Sequence, residues 1–477
     1  AMMTTINEMH QIFNLQKTQY DRAQPMTYEE RVTVLNQIEA LIRDNISELI
    51  TALQADFGQR DPLQIVSADL TGPLATIAYI KKHLRKWILP AKQRSGLMAL
   101  TGTKQYVYNE PLGVVGIMSP FNAPIDLALD PAVEAIAAGN RVMVKISEYT
   151  PKTAALVQKL SQQYLNEKNF AVVTGEADIA AQFSALDWDK LVFTGGSETG
   201  KKVLSAAAPN LTPVVLELGG KNPAVVLPDA NKQMTAAKIA RSRSGNSGQI
   251  CLDTDYVLLP TDQLDEYVRL ITAQLAQAFP TYINNSEYSA IINDRSYDRI
   301  LRMLTEARQR GTRLITINPN NELVPDVKRR LIPLTLAINP DRDLQIARNE
   351  IFGPILSIFT YDSLDEAIAF INSHEKPLAM YLFGRSSRHL NQIISQTSSG
   401  GVDINELSLH AGSHSMGFGG VGYSGMGRYK GGKTGFETFS NQKSVYKQGV
   451  LAKYTTRLMV PIHNKRNEKL LKRMLGL

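Results

Sequence analysis

Between Gly113 and about Pro228 the chain alternates short apolar runs with helical stretches, and no other feature limits its fold so tightly. The runs lie at 114–118, 141–146, 170–174, 190–194, 214–218 and 224–227, with helical character at 125–138, 153–165 and 198–208. Runs that are apolar at successive positions, not only at alternate ones, are strands buried on both faces. The pattern therefore predicts a parallel sheet covered by helices. Ligands of such sheets bind beyond the carboxyl ends of the strands, so the polar residues ending these runs matter most.

Upstream, Thr27-Tyr-Glu-Glu30 reads as a capping box. It opens one helix whose Val32, Leu35, Ile38, Leu41, Ile42, Ile46, Leu49 and Leu53 fall at helical spacing before Gly58 closes it. A second, longer helical stretch reaches about Trp87, and 104–108 has strand character. Downstream, a second α/β region over 229–399 holds a Gly/Ser-rich loop before Cys251, strands at 256–259 and 355–361, and a helix at 263–279. From Gly400 to Gly435 the chain spends 12 of its 32 glycines, which predicts loop held by packing. A short strand-like run follows at 443–446.

With 477 residues the chain has room for several domains, at about 100–200 residues each. Its single cysteine excludes an intramolecular disulfide and a zinc site of several thiolates, and no metal is expected. One cysteine suits a reducing compartment, most simply the cytoplasm. The net charge of +7, from 52 Lys and Arg against 45 Asp and Glu, is mild and argues against nucleic-acid binding. No stretch approaches the roughly 18 uninterrupted apolar residues of a membrane helix, and residues 1–24 lack a signal-peptide core. The tail from Lys453 interleaves Lys453, Arg457, Lys465, Arg466, Lys469, Lys472 and Arg473 with Leu458, Val460, Ile462, Leu470, Leu471 and Leu475. That pattern allows peripheral membrane contact, although docking on the protein itself or on a partner subunit is the preferred expectation.

Five places can carry chemistry. Cys251 ends the small-residue loop Gly245-Asn-Ser-Gly-Gln-Ile-Cys251, which would let a substrate approach its sulfur; taken alone, a single cysteine is more often a buried small hydrophobe than a nucleophile. Glu217 ends an apolar strand, where burial would raise its proton affinity toward general-base duty unless Lys221 or Lys145 pairs with it. Asn122, in Ser119-Pro-Phe-Asn-Ala-Pro124, sits in a loop stiffened by prolines and could present its amide to an oxyanion, or could serve the turn alone. Phe193-Thr-Gly-Gly-Ser-Glu-Thr-Gly-Lys201 is a strand, a glycine turn and a helix start, whose N–H groups at Gly195, Gly196 and Ser197 could hold phosphate. Lys145-Ile-Ser-Glu148 ends another strand, where Glu148 could hold ribose hydroxyls or simply be solvated.

In order along the chain stand Pro120-Phe-Asn-Ala-Pro124, Lys145-Ile-Ser-Glu148, Phe193-Thr-Gly-Gly-Ser197, Glu217-Leu-Gly-Gly-Lys221 and Gly248-Gln-Ile-Cys251. Glu350-Ile-Phe-Gly-Pro354 and Phe418-Gly-Gly-Val-Gly-Tyr-Ser-Gly-Met-Gly427 follow. With these motifs the chain resembles the NAD(P)-dependent aldehyde dehydrogenase superfamily over almost its whole length. Val172-Val-Thr-Gly-Glu-Ala-Asp178, Asp255-Tyr256, Gly422-Tyr-Ser-Gly-Met-Gly427 and the basic-apolar tail resemble the class 3 branch, and within it the bacterial coniferyl aldehyde dehydrogenases.

The resemblance implies that Cys251 attacks the aldehyde carbon and that the Asn122 amide and the Cys251 N–H hold the oxyanion. It implies that hydride leaves to the cofactor and that Glu217 activates the water that hydrolyses the thioester. It places Lys145 and Glu148 on the adenosine ribose, Gly195, Gly196 and Ser197 near the pyrophosphate, and Glu350 and Phe352 on the nicotinamide ribose. NAD is the expected cofactor, with NADP possible, because a carboxylate at 148 repels a 2′-phosphate. The expected substrate is a coniferaldehyde-like aromatic or a medium- to long-chain aliphatic aldehyde. A CoA-acylating enzyme or a silent structural member are the alternatives, and the presence of Glu217, Cys251 and Asn122 argues against both. The family usually has Pro at Ile146, often Trp at Phe121, and in class 3 commonly His at Lys430.

The implied fold is α/β, with two parallel-sheet domains for cofactor and catalysis and a small β region for oligomerisation. The expected division is a cofactor domain over 1–228, interrupted by a bridging segment at 102–115, and a catalytic domain over 229–410. Residues 411–477 would hold a glycine-rich loop, an oligomerisation strand and the tail. A homodimer is expected first, a tetramer second. An accessible Cys251 thiolate would also be open to oxidation or alkylation.

Overall fold

Three sheets organise the chain, in a computed structural model that describes residues 3–452 and 464–477. The first has six strands in the order Gly425–Met426, Val214–Glu217, Lys190–Thr194, Val114–Met118, Arg141–Lys145 and Phe170–Val173. All its neighbours are parallel except the two-residue strand Gly425–Met426. Val114–Met118 and Phe170–Val173 are buried at every position, as strands covered on both faces must be. From Val114–Met118 the chain first moves one way to Arg141–Lys145, then returns to the other side at Lys190–Thr194. That reversal opens a crevice at the strands' carboxyl ends.

The second sheet runs Arg313–Thr316, Thr335–Ile338, Ile355–Tyr361, Tyr256–Pro260, Pro223–Val226, Ala379–Phe383, Gly401–Ile404, parallel apart from its first strand. The third is antiparallel: Ala91–Gln93, Lys104–Pro111 and Ser440–Lys447.

Two expectations about elements change. The run at 224–227 reads as a continuation of the first group of strands, yet Pro223–Val226 pairs in the seven-stranded sheet. Apolar patterning reports that a strand is buried, not which sheet buries it. The helix expected from Tyr28 to Phe57 is two, Tyr28–Arg43 and Ile46–Phe57. Asn45 interrupts it, its side-chain amide donating to the Leu41 carbonyl at 2.8 Å in competition with the helical ladder. The capping box at Thr27 and Glu30 is formed as expected. A helix at Ala177–Ser184 has no counterpart in the sequence reading.

The helical stretch Pro62–Ile88 is long and apolar enough to cross a bilayer by those two criteria alone. Ile65, Leu70, Ile77, Ile80 and Leu84 are instead packed in the main core. Part of the tail, at 453–463, lies outside the described residues. The helix Lys465–Met474 has no buried residue, so that part of the tail is not docked on its own chain.

Candidate active site

All ten residues singled out in the sequence line one cavity of about 1100 Å³: Asn122, Lys145, Glu148, Gly195, Gly196, Ser197, Glu217, Cys251, Glu350 and Phe352. The six-stranded sheet supplies most of them from its carboxyl ends, at Met118, Lys145, Thr194 and Glu217. The first loop of the second sheet brings Cys251 to face them.

The loop before Cys251 is strained and over-determined. Asn246 and Ser247 both hold left-handed backbone, at φ +51°. Arg243 Nη2 donates to the Gly248 carbonyl at 2.6 Å, and Gln249 Nε2 donates to the Asn246 and Ala290 carbonyls at 3.0 Å each. A Cβ at Gly248 would lie 2.1 Å from the Gly353 carbonyl oxygen, so only glycine fits this turn. Burial, with Glu350 and Glu217 nearby, pushes the Cys251 thiol up to about 12. In the protein alone this favours the thiol over the thiolate.

Glu217 is 2% exposed, and neither carboxylate oxygen has a hydrogen-bond partner among the described residues. The two lysines that could have neutralised it are engaged elsewhere. Lys221 pairs with Asp255 and donates to the Ile346 and Asn349 carbonyls at 3.0 and 2.8 Å. Lys145 lies 3.3 Å from Glu148. Burial therefore holds the Glu217 carboxyl well above its ordinary range, opposed by Lys430 and Arg428. A buried carboxylate without a partner is costly as a structural feature and apt as a base.

Asn122 is fixed through its backbone. Arg60 Nη2 donates to its carbonyl at 3.0 Å, and the same guanidinium pairs with Asp69 at 3.2 Å, both side chains fully buried. Asp69 Oδ1 accepts the N–H groups of Ile125 and Asp126 at 3.0 and 3.2 Å. The Arg60–Asp69 clamp thus sets the whole Asn122 loop, and no local pattern in the sequence signals it.

The other end of the cavity suits an anionic dinucleotide. The helix Ser197–Ala207 begins at Gly196 with no side-chain cap, and a Cβ built at Gly196 would meet nothing within 4 Å. Open N–H groups at a helix start bind phosphate. Ser197 Oγ donates to the Tyr423 carbonyl at 3.1 Å. Lys145 Nζ donates to the Ile146 carbonyl at 2.8 Å, which leaves the Lys145–Glu148 pair at the cavity wall where hydroxyls could be held. Burial, with Asp255 nearby, raises the Glu350 carboxyl to about 7. Phe352, at φ +50°, sets its ring edge-on to Phe121 with centroids 5.8 Å apart. Arg299, Arg342, Arg348 and Lys376 also line the cavity. No motif pointed to these four cations, which come together only through the fold.

Comparison with known proteins shows the family and the fold. A model of the aldehyde dehydrogenase family matches residues 3–445. The chain is 40% identical to a coniferyl aldehyde dehydrogenase of a Pseudomonas species over 437 residues, 92% of this chain and 90% of the relative. It superposes on a substrate-bound aldehyde dehydrogenase (AldH) of Staphylococcus aureus with a TM-score of 0.90 at 32% identity, covering 99% of this chain and 100% of the other. A Mycobacterium tuberculosis aldehyde dehydrogenase complexed with NAD+ follows with a TM-score of 0.83 at 26% identity, covering 94% and 92%.

Proposed function

The chain belongs to the aldehyde dehydrogenase family and oxidises aldehydes to carboxylic acids with NAD(P), and we propose that Cys251 is its nucleophile, Asn122 its oxyanion donor and Glu217 its base. The observation that carries these roles is the buried, unpartnered Glu217 carboxylate in the same cavity as the chain's one cysteine. Cys251 loses its thiol proton to water, its sulfur bonds to the aldehyde carbon, and the carbonyl oxygen becomes an oxyanion held by the Asn122 amide and the Cys251 N–H. Bound in the cleft, the nicotinamide dinucleotide supplies the acceptor for the hydride lost from that carbon. Glu217 then takes a proton from water, whose oxygen bonds to the thioester carbon as the bond to sulfur breaks, releasing the acid and the thiol. Lys145 and Glu148 hold the adenosine ribose, Gly195, Gly196 and Ser197 the pyrophosphate, and Glu350 and Phe352 the nicotinamide ribose. The Glu148 carboxylate favours NAD over NADP.

The substrate is a coniferaldehyde-like aromatic or a medium- to long-chain aliphatic aldehyde, a reading supported by the Pseudomonas relative and by Phe121, Phe352 and Tyr149 along the cavity. The functional unit is a cytoplasmic homodimer paired through the three-stranded sheet, beside which Leu97, Leu100, Tyr446 and Leu451 are exposed. A kinetic panel of aromatic and straight-chain aldehydes, with NAD and NADP and with and without CoA, tests the whole reading. NADH formation that needs no CoA is expected; strict CoA dependence would overturn hydrolysis as the second step.

A further inference from the structure

Beside the reacting groups lies a charged cluster that the steps above do not use. The helix Asp126–Ala137 is buried along almost its whole length, yet it carries Asp126, Asp130 and Glu134 four residues apart, a stripe of carboxylates on one face. Asp130 and Glu134 are each 2% exposed. Asp126 and Asp130 each keep one carboxylate oxygen without a partner among the described residues, and so does the hydroxyl of the fully buried Tyr429.

Lys430 answers these carboxylates. Its Nζ lies 3.5 Å from Asp130 Oδ2, and its N–H donates to Glu134 Oε2 at 3.1 Å. The ammonium sits 5.3 and 5.6 Å from the ring centroids of Phe418 and Tyr429, within cation–π range. Lys430 also holds left-handed backbone, φ +61°, which a lysine keeps only where its surroundings impose it. The ammonium is therefore locked in a socket.

The socket is adjacent to the chemistry. Gly425 stands opposite Glu217 in the antiparallel pairing of Gly425–Met426 with Val214–Glu217, so the segment leading to Lys430 runs back along the strand that ends in the base. The charged groups facing Glu217 are Lys430 and Arg428. Those facing Cys251 are the carboxylates of Glu350, Glu217 and Asp253, with Lys430 as the opposing cation. Lys430 itself faces Asp126, Asp130, Glu134 and Glu217.

We propose that Lys430 is a positioning residue for the reaction, its ammonium held by the Asp126–Asp130–Glu134 stripe so as to present a fixed positive charge to Cys251 and Glu217. The proposal rests on the roles given above to those two residues. It accounts for three carboxylates on a buried helix face: they fix a long, flexible side chain that would otherwise swing to solvent. A lysine keeps its charge across the working pH range, which a histidine at this position would not.

The test compares Lys430→Met, which keeps length and loses charge, with Lys430→Arg, which keeps charge. Two pH profiles are read: the rate of Cys251 alkylation by iodoacetamide, and kcat for NADH formation. In Lys430→Met the ascending limb of both profiles should move to higher pH, so that alkylation at a fixed pH on the limb falls about tenfold for each unit moved, with kcat falling more than KM rises. Lys430→Arg should restore both profiles. If Lys430→Met fails to fold, Lys430→Met combined with Asp130→Asn removes the charge together with its partner and should show the same displacement. A folded, charge-free variant with unmoved profiles, or an arginine variant that behaves like methionine, overturns the proposal. Cys251→Ala is the control that separates the two readings: if it still turns over, the assignment of the nucleophile fails whatever the Lys430 variants do.

Discussion

The side-chain amide of Asn222 donates to the Cys251 carbonyl at 2.7 Å and to the Asp253 carbonyl at 3.0 Å, while its own oxygen accepts the Ala379 N–H at 3.0 Å. One buried side chain thus ties the proposed nucleophile to two strands of the seven-stranded sheet. Asn222→Ala strands these groups, at about 1–3 kcal/mol for each one left unsatisfied. A lower Tm is expected together with a fall in kcat/KM of at least about tenfold. Thermal melts and steady-state kinetics of the variant check it, and wild-type values in both would mean that Asn222 does not position Cys251.

Cys251→Ala should form no NADH from any aldehyde while binding NAD almost as the parent does, because the residues proposed to hold the cofactor are other members of the cavity lining. Calorimetric titration with NAD alongside a turnover assay separates the two properties. Surviving turnover would refute the role of the thiol.

Glu217→Gln removes the proposed base but leaves acylation possible. Rapid mixing should show a burst of NADH of about one equivalent per site, followed by a steady state slower by about 10²–10⁴-fold, the usual worth of a positioned base. An unchanged steady rate would remove Glu217 from deacylation.

The pH dependence has a definite sign. Burial raises both the Glu217 carboxyl and the Cys251 thiol, the latter to about 12, so the thiol is largely protonated near neutrality in the protein alone. The reactive forms are the deprotonated ones. Alkylation by iodoacetamide without cofactor should be slow at neutral pH and accelerate about tenfold per pH unit below that value. Rapid, pH-independent alkylation at neutral pH would show that Cys251 is already a thiolate.

Arg60→Met leaves Asp69 buried without its counter-ion and frees the Asn122 loop. A loss of about 3–5 kcal/mol in unfolding free energy is expected, largely recovered by adding Asp69→Asn. Denaturant titrations of the single and double variants measure both.

Much of the site is legible in the linear sequence because its motifs are local: a strand end, a glycine turn and a helix start specify Glu217, Gly196 and Ser197 within a few residues. The strands that carry them are legible too, since burial on both faces leaves apolar runs. What the residues around a group do to it is not local. Whether Glu217 finds a cation depends on Lys221 turning instead to Asp255 and to the Ile346 and Asn349 carbonyls, a choice made by distant segments. The small-residue loop shows only that the Cys251 sulfur can be approached; it is burial, with the carboxylates of Glu350 and Glu217 brought near by folding, that raises the thiol. The same holds for the Pro223–Val226 strand, whose apolar pattern fits either sheet, for Arg60, which reaches the Asn122 carbonyl 62 residues on, and for Lys430, whose N–H finds Glu134 296 residues away. Sequence alone determined which chemical groups are present and which short elements carry them. Only the tertiary structure decided their charge state and pairing, because electrostatic energy depends on distance and burial in space, not on separation along the chain.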